Sequence, residues 1–290
     1  MSKLKKANAF ISNDIEEMDI CAAVEHTDEN EDLPALTGNE TSQELLDYMV
    51  LVISRQLHVR TAFKGGYMLN QLLGEQSRMT HDIDFSISDE DGYLQIVQFL
   101  KQIAEQFQNA GIISDYKIKD TITPTNSGGI DFYDNTGKKI LGIDIGLHNL
   151  SYGLTSYNIT IGRINAFTVE RMLADKIIAI LSRKRFRRTK DIYDLFVLSE
   201  NFNINIQKLA EFIKYRGNAE WEHIPFSDEI IVQYSKAWDK LVLRTPTDQQ
   251  LSKPAFNDVL DRFYYIAFAV RNGESGFWSC QEKRLVQDLE

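Results

Sequence analysis

The sequence predicts an α+β protein: a mixed β-sheet flanked by helices, followed by a mainly helical C-terminal lobe. Three observations predict it. Strand-like alternation recurs between residues 58 and 147, and the stretches between carry apolar residues three and four apart. From Thr168 onward the periodicity is helical throughout. With 43% hydrophobic and 11% aromatic residues, the chain can bury the core of one large or two modest domains. The predicted division is an acidic N-terminal extension over 1–40, a mixed core over 41–165 and a helical domain over 166–290.

Pro34 and Gly38 mark the end of a weakly patterned extension. Thr41, with Glu44 three residues on, is a helix N-cap; the helix runs to about Gln56 and buries Leu45, Leu46, Met49, Val50 and Ile53. A strand from His58 to Phe63 delivers the pair Gly65-Gly66. A short helix follows, with Met68, Leu69, Leu72 and Leu73 on one side and Gly74 as its stop. His81 to Ser88 alternates strictly: Ile83, Phe85 and Ile87 on one face, Asp82, Asp84, Ser86 and Ser88 on the other. Asp89-Glu90-Asp91-Gly92 turns into a helix burying Leu94, Val97, Leu100, Ile103, Ala104 and Phe107 and ending at Gly111. Strands are expected at Ile112–Lys119, Gly129–Tyr133 and Lys139–Leu147, the last two joined by the Asp134–Gly137 turn. Thr168 caps a helix whose stripe is Val169, Met172, Leu173, Ile177 and Ile180. Later helices are expected near Ile206–Tyr215, Asp228–Leu243 and Pro254–Val270.

The chemistry gathers between Phe63 and Phe85. Asp82 and Asp84 project from the same face of a strand, with Cα atoms roughly 6.5 Å apart. Two carboxylates so held repel each other unless a cation lies between them. The glycine pair lets backbone amides approach a ligand, and the helix behind it aims its unpaired N–H groups at the same place. Phosphate at one end and a carboxylate-held divalent metal at the other suit nucleotidyl transfer. Each half alone is ordinary turn or surface-strand chemistry; their spacing, with Arg78 and Thr80 leading into the aspartates, makes the signal specific. Asp144 lies between glycines on the polar side of an apolar strand. It reads either as an edge position or as a third metal-facing carboxylate, and the Asp82/Asp84 strand favours the second.

Lys176 lies on the apolar stripe of its helix, so it either snorkels to solvent or meets a negative partner. Asp191 and Asp194 share a face of the next helix. Between the two helices, Arg183 to Lys190 carries six positive charges, which suits a triphosphate or RNA, or else a solvated loop. The net charge of −10 is local in origin: residues 13–40 hold ten acids and no Lys or Arg, and the remaining chain balances at 32 of each sign. That segment reads as a solvated extension or as a self-inhibitory or partner contact. No apolar run reaches the 18 or so residues of a membrane span, and the N-terminus lacks a signal-peptide core. Cys21 and Cys280 lack metal-ligand spacing, so the expected setting is the reducing cytoplasm, and zinc is disfavoured.

These residues resemble the AbiEii-type nucleotidyltransferases, toxins of bacterial toxin–antitoxin and phage-defence systems within the polymerase-β-like superfamily. The resemblance rests on Lys64-Gly65-Gly66, on Arg78-x-Thr80-x-Asp82-Ile83-Asp84-Phe85, and on Glu170 through Lys176 with Arg183 and Lys190 to Leu195. It covers about residues 41–200 and identifies 41–165 with the nucleotidyltransferase fold. It implies that Lys64, Gly65, Gly66, Arg78 and Thr80 bind an NTP and that Asp82, Asp84 and Asp144 hold Mg²⁺ or Mn²⁺. Lys176 would contact the triphosphate and Asp191 would line the cleft. An RNA acceptor, tRNA by family, would lie along Arg183, Arg187, Arg188 and Lys190, and a cognate antitoxin is implied. Tyr67 stands where the family commonly has a small hydroxyl residue. The same site could instead nucleotidylate a protein or small molecule, or serve as a non-catalytic nucleotide-binding module.

Overall fold

The computed structural model describes residues 36, 40–56, 61–88, 93–119, 127–148, 150–182, 188–217 and 219–287. The acidic segment, the first residues of the strand expected from His58, the Asp89–Gly92 turn and Arg183 and Arg187 lie outside the described residues.

Helix α1 (Ser42–Gln56) opens on a reciprocal cap: the Glu44 amide donates to Thr41 Oγ1 at 3.3 Å, and the Thr41 amide donates to Glu44 Oε2 at 2.7 Å. Its five expected core residues are buried. Strand β1 (Thr61–Lys64) runs directly into α2 (Gly65–Leu73), which stops at Gly74, at φ 54°. Strand β2 (Asp82–Ile87) buries Ile83, Phe85 and Ile87 as its alternation predicts. Helix α3 (Tyr93–Asn109) turns Ile96 rather than Val97 into the core, alongside Leu100, Ile103, Ala104 and Phe107.

Strand β3 (Asp115–Lys119) starts later than the apolar run from Ile112 suggests. The Phe107 carbonyl at the end of α3 accepts from the Ile112 amide at 2.9 Å, so these residues close the helix instead of extending. Strands β4 (Ser127–Tyr133) and β5 (Lys139–Leu147) form the expected hairpin. A second hairpin, β6 (Leu154–Ile159) and β7 (Gly162–Phe167), is not anticipated by the sequence reading. The seven strands form one mixed sheet in the order β3-β4-β5-β2-β1-β7-β6. β2 and β5 pair in parallel, as do β1 and β7; the other neighbours are antiparallel.

Beyond the sheet, Thr168 caps α4 (Val169–Leu181), its Oγ1 accepting from the Arg171 amide. Helices α5 (Thr189–Asn201), α6 (Ile206–Arg216), α7 (Asp228–Lys240) and α8 (Phe256–Arg271) follow. The C-terminal lobe is mainly helical as expected, with one addition the sequence reading did not anticipate: β8 (Ile204–Asn205), β9 (Phe277–Ser279) and β10 (Arg284–Val286) make a small antiparallel sheet. It seats Trp278, whose indole N–H donates to the Ser199 carbonyl at 2.8 Å. Tyr234 and Trp238 are core residues of this lobe.

Candidate active site

Lys64, the last residue of β1, pairs across the antiparallel ladder with Asp84. Gly65 begins α2 at φ +71°, and a Cβ there would stand 2.7 Å from Asp84 Cγ. A Cβ on Gly66 would stand 2.9 Å from Thr80 Oγ1. Both glycines are therefore demanded by close approach to the aspartate strand. The N-cap residue Lys64 makes no side-chain cap bond to α2, a helix start whose first amides can turn to an anion. Tyr67 does not enter this turn; its ring is buried and its hydroxyl donates to Asp47 Oδ1 at 2.8 Å.

The parallel register of β2 and β5 makes Asp84 and Asp144 direct partners, and Asp82 lies two residues along on the same face. Asp131 of β4, which the sequence reading missed, sits opposite Gly142 and joins the same face. Its signal was available, an aspartate between Ile130 and Phe132, but only the register reveals its neighbours. A Cβ on Gly142 would meet the ends of the Lys139 and Asp82 side chains, so a larger residue there would displace that ion pair. Lys139 Nζ bridges Asp82 (2.6 Å) and Asp131 (2.7 Å); Lys119 Nζ bridges Asp144 (2.6 Å) and Asp131 (3.0 Å). In this arrangement no three carboxylates among the described residues converge as a ready metal cage. Burial pushes the Asp84 carboxyl up; Lys64 and Lys176 oppose that rise, while Asp144 and Asp82 add to it. Burial likewise pulls the Lys64 ammonium down against the attraction of Asp175 and Asp84.

Lys176 does not snorkel. It is mostly buried, its side chain 12% exposed, and bonded to Asp191 (2.8 Å) and Asp194 (2.7 Å). Arg78 reaches the same Asp194 with two nitrogens, Nε at 2.9 Å and Nη2 at 3.0 Å. Burial alone would lower the Lys176 ammonium, but Asp194 and Asp191 override it and hold it high. The quartet ties the segment leading into β2 to α4 and α5. Arg78 and Thr80 thus act within the protein here: Arg78 on Asp194, and Thr80 with its Oγ1 accepting from the Asp82 amide at 3.2 Å. Of the basic run, Arg188 and Lys190 are exposed, and Arg188 faces Asp191 at 3.6 Å.

A mixed sheet that sets a glycine turn and a helix N-terminus against strand-borne aspartates defines the nucleotidyltransferase class. Residues 51–262 match the family described as nucleotidyl transferase AbiEii toxin, type IV toxin–antitoxin system, and the chain belongs to that family. Membership implies a cognate antitoxin. Among solved structures the chain is similar to JHP933 from Helicobacter pylori, with 16% identity, 80% of this chain and 92% of that chain covered, and a TM-score of 0.47. It is also similar to an antigenic nucleotidyltransferase-like protein from Paracoccidioides brasiliensis, with 16% identity, 64% and 91% covered, and a TM-score of 0.38. No curated protein matches the chain. Among the described residues, no helix is long and apolar enough to cross a membrane.

Proposed function

We propose that this toxin-family protein transfers a nucleotidyl group from an NTP to an RNA acceptor, tRNA by family, in a Mg²⁺-dependent reaction. The observation that carries the reading is the register of Asp84 with Asp144, beside Asp82 and against the Gly65-Gly66 turn. The donor set fits a divalent cation: hard carboxylate oxygens crowd one sheet face, and mutual repulsion is among the forces raising the Asp84 carboxyl. Asp82, Asp84 and Asp144 would hold Mg²⁺ or Mn²⁺, which when bound would neutralise phosphate charge and acidify the acceptor hydroxyl. Lys119 and Lys139, which now neutralise Asp144 and Asp82, would yield those carboxylates.

The amides at the start of α2 and the Lys64 ammonium would bind the triphosphate. Asp144 would serve as a ligand or as the base that takes the proton from the acceptor hydroxyl. Lys176 would add positive potential toward the leaving pyrophosphate, and the Arg78–Asp194–Lys176–Asp191 quartet would fix its position. Arg183, Arg187, Arg188 and Lys190 would carry the RNA backbone. Neutralising Arg187, Arg188 and Lys190 should then weaken RNA binding and flatten its salt dependence while sparing NTP binding. Growth inhibition or phage defence in the bacterial cytoplasm is the expected outcome.

The test is Asp82→Ala and Asp84→Ala. Neither substitution touches the buried Ile83, Phe85 and Ile87, so both proteins should fold and both should lose transfer. Turnover at the wild-type rate in both would remove the reading.

A further inference from the structure

Lys64 also belongs to a cluster whose other members the transfer chemistry leaves unused. The Asp175 carboxylate of α4 faces Arg216 Nε at 3.3 Å and Lys64 Nζ at 4.0 Å. Arg171 is a further cation of this group, flat against Phe167 with its guanidinium carbon 3.8 Å from the ring centre. At the end of β5, His148 Nδ1 lies 2.8 Å from Arg216 Nη1. Burial, then Lys64, Arg216 and Arg171, press the imidazole down to about 3, so it is neutral and accepts that bond. Lys64, Arg171 and Arg216 thus set three positive side chains around Asp175. Lys64 gives part of its charge to Asp84, its register partner, which sets the cluster directly beside the aspartate face.

The cluster has an aromatic wall. Tyr152 stacks on Phe212 with centroids 5.8 Å apart and planes 6° from parallel, and it takes Tyr215 edge-on at 4.7 Å. This wall is built by the backbone: Gly153 sits at φ +69°, where a Cβ would stand 2.7 Å from Phe212 Cζ and 2.9 Å from Arg171 Cδ. Tyr215 is half exposed and immediately precedes Arg216, the last residue of α6. A solvent-facing aromatic next in sequence to Arg216, whose guanidinium shares Asp175 with the Lys64 ammonium, brings together the two recognition elements of a nucleotide, a π-face for the base and cations for phosphate.

We infer that Tyr215, with Tyr152 behind it, and Arg216, Lys64 and His148 form a nucleotide subsite, the base lying on Tyr215 and the phosphate on Arg216 and Lys64. This rests on the transfer reading above and adds a contribution of the helical lobe to it. The nucleotide is either the NTP or the end of the RNA acceptor.

The experiment measures binding of each NTP with Mg²⁺, and separately of a short single-stranded RNA, to wild type, Tyr215→Ala, Tyr215→Phe and Arg216→Gln. Thermal melts confirm that the variants are folded. Loss of a stacked base should weaken binding about fivefold or more in Tyr215→Ala, Arg216→Gln should weaken the same ligand, and Tyr215→Phe should restore it. Weakened NTP binding makes the occupant the substrate; weakened RNA binding makes it the acceptor end. Unchanged affinity for both ligands in folded variants overturns the subsite while wild-type transfer stands. A wild type that binds neither ligand overturns the subsite together with the reading beneath it.

Discussion

Gly65→Ala tests whether the glycine turn sets the position of Asp84. The added methyl would lie 2.7 Å from Asp84 Cγ and 2.9 Å from Asp84 Cβ. Carbon–carbon contact requires about 3.5 Å and Asp84 Oδ2 lies closer still, so the carboxyl must retreat by at least roughly 0.8 Å or the turn must open by as much. A displacement of ~1 Å at reacting groups costs on the order of 10²-fold in rate. The stability cost is separate and smaller. Alanine at φ +71° carries about 1–2 kcal/mol of backbone strain, which for a chain of this size lowers Tm by roughly 2–8 °C. The variant should thus remain folded at 25 °C yet lose about two orders of magnitude in transfer. The assay pairs a thermal melt with initial rates of label transfer from an α-labelled NTP. Transfer within threefold of wild type in a folded Gly65→Ala protein would refute the coupling between the turn and Asp84.

Asp194→Asn should cost about 3–5 kcal/mol by removing the buried carboxylate that pairs the mostly buried Lys176 and Arg78, read as a lower denaturant midpoint; a midpoint equal to wild type would show the quartet to be dispensable. Burial would raise the Asp194 carboxyl, but Lys176 and Arg78 hold it below its ordinary value, so its stabilisation is present above about pH 4 and is lost as pH falls through the folded value. The variant should therefore lose less stability than wild type on acidification below about pH 4. His148 works in a higher window. Its imidazole titrates near 3 when folded, held down by burial and by Lys64, Arg216 and Arg171, so the unfolded chain alone takes up that proton as pH falls from about 6.5. Stability should decline across that window in wild type and decline less in His148→Gln; parallel curves would place the imidazole outside the cationic cluster.

Much of this molecule is legible in local sequence. The Thr41–Glu44 cap, the alternation through Ile83, Phe85 and Ile87, and the Gly74 stop are each decided by neighbours a few residues away, and each appears where expected. Lys176 is legible in a weaker sense: an ammonium on an apolar stripe demands an anion, and Asp191 and Asp194 supply it from the next helix. What stays hidden depends on pairing over long separations. That β1 lies between β2 and β7, parallel to the latter, follows from hydrogen bonds about a hundred residues apart. Asp131 looks like any polar-face residue until its strand is set beside Gly142. Arg78 and Thr80 precede the aspartates in sequence and suggest ligand contacts, yet their partners here are Asp194 and the Asp82 backbone. The cluster of Lys64, His148, Asp175 and Arg216 draws one residue each from β1, the end of β5, α4 and α6, which no linear motif encodes.

The most direct measurement of the central claim offers the purified protein a choice of acceptor. Each α-labelled NTP is incubated with Mg²⁺, total RNA and total protein, and the labelled products are separated, with Asp84→Asn run in parallel. Label should enter RNA from one or more NTPs in the wild-type reaction and be absent with Asp84→Asn. Label confined to protein or small molecules would contradict the RNA acceptor, and equal labelling by Asp84→Asn would contradict the aspartate-centred site itself.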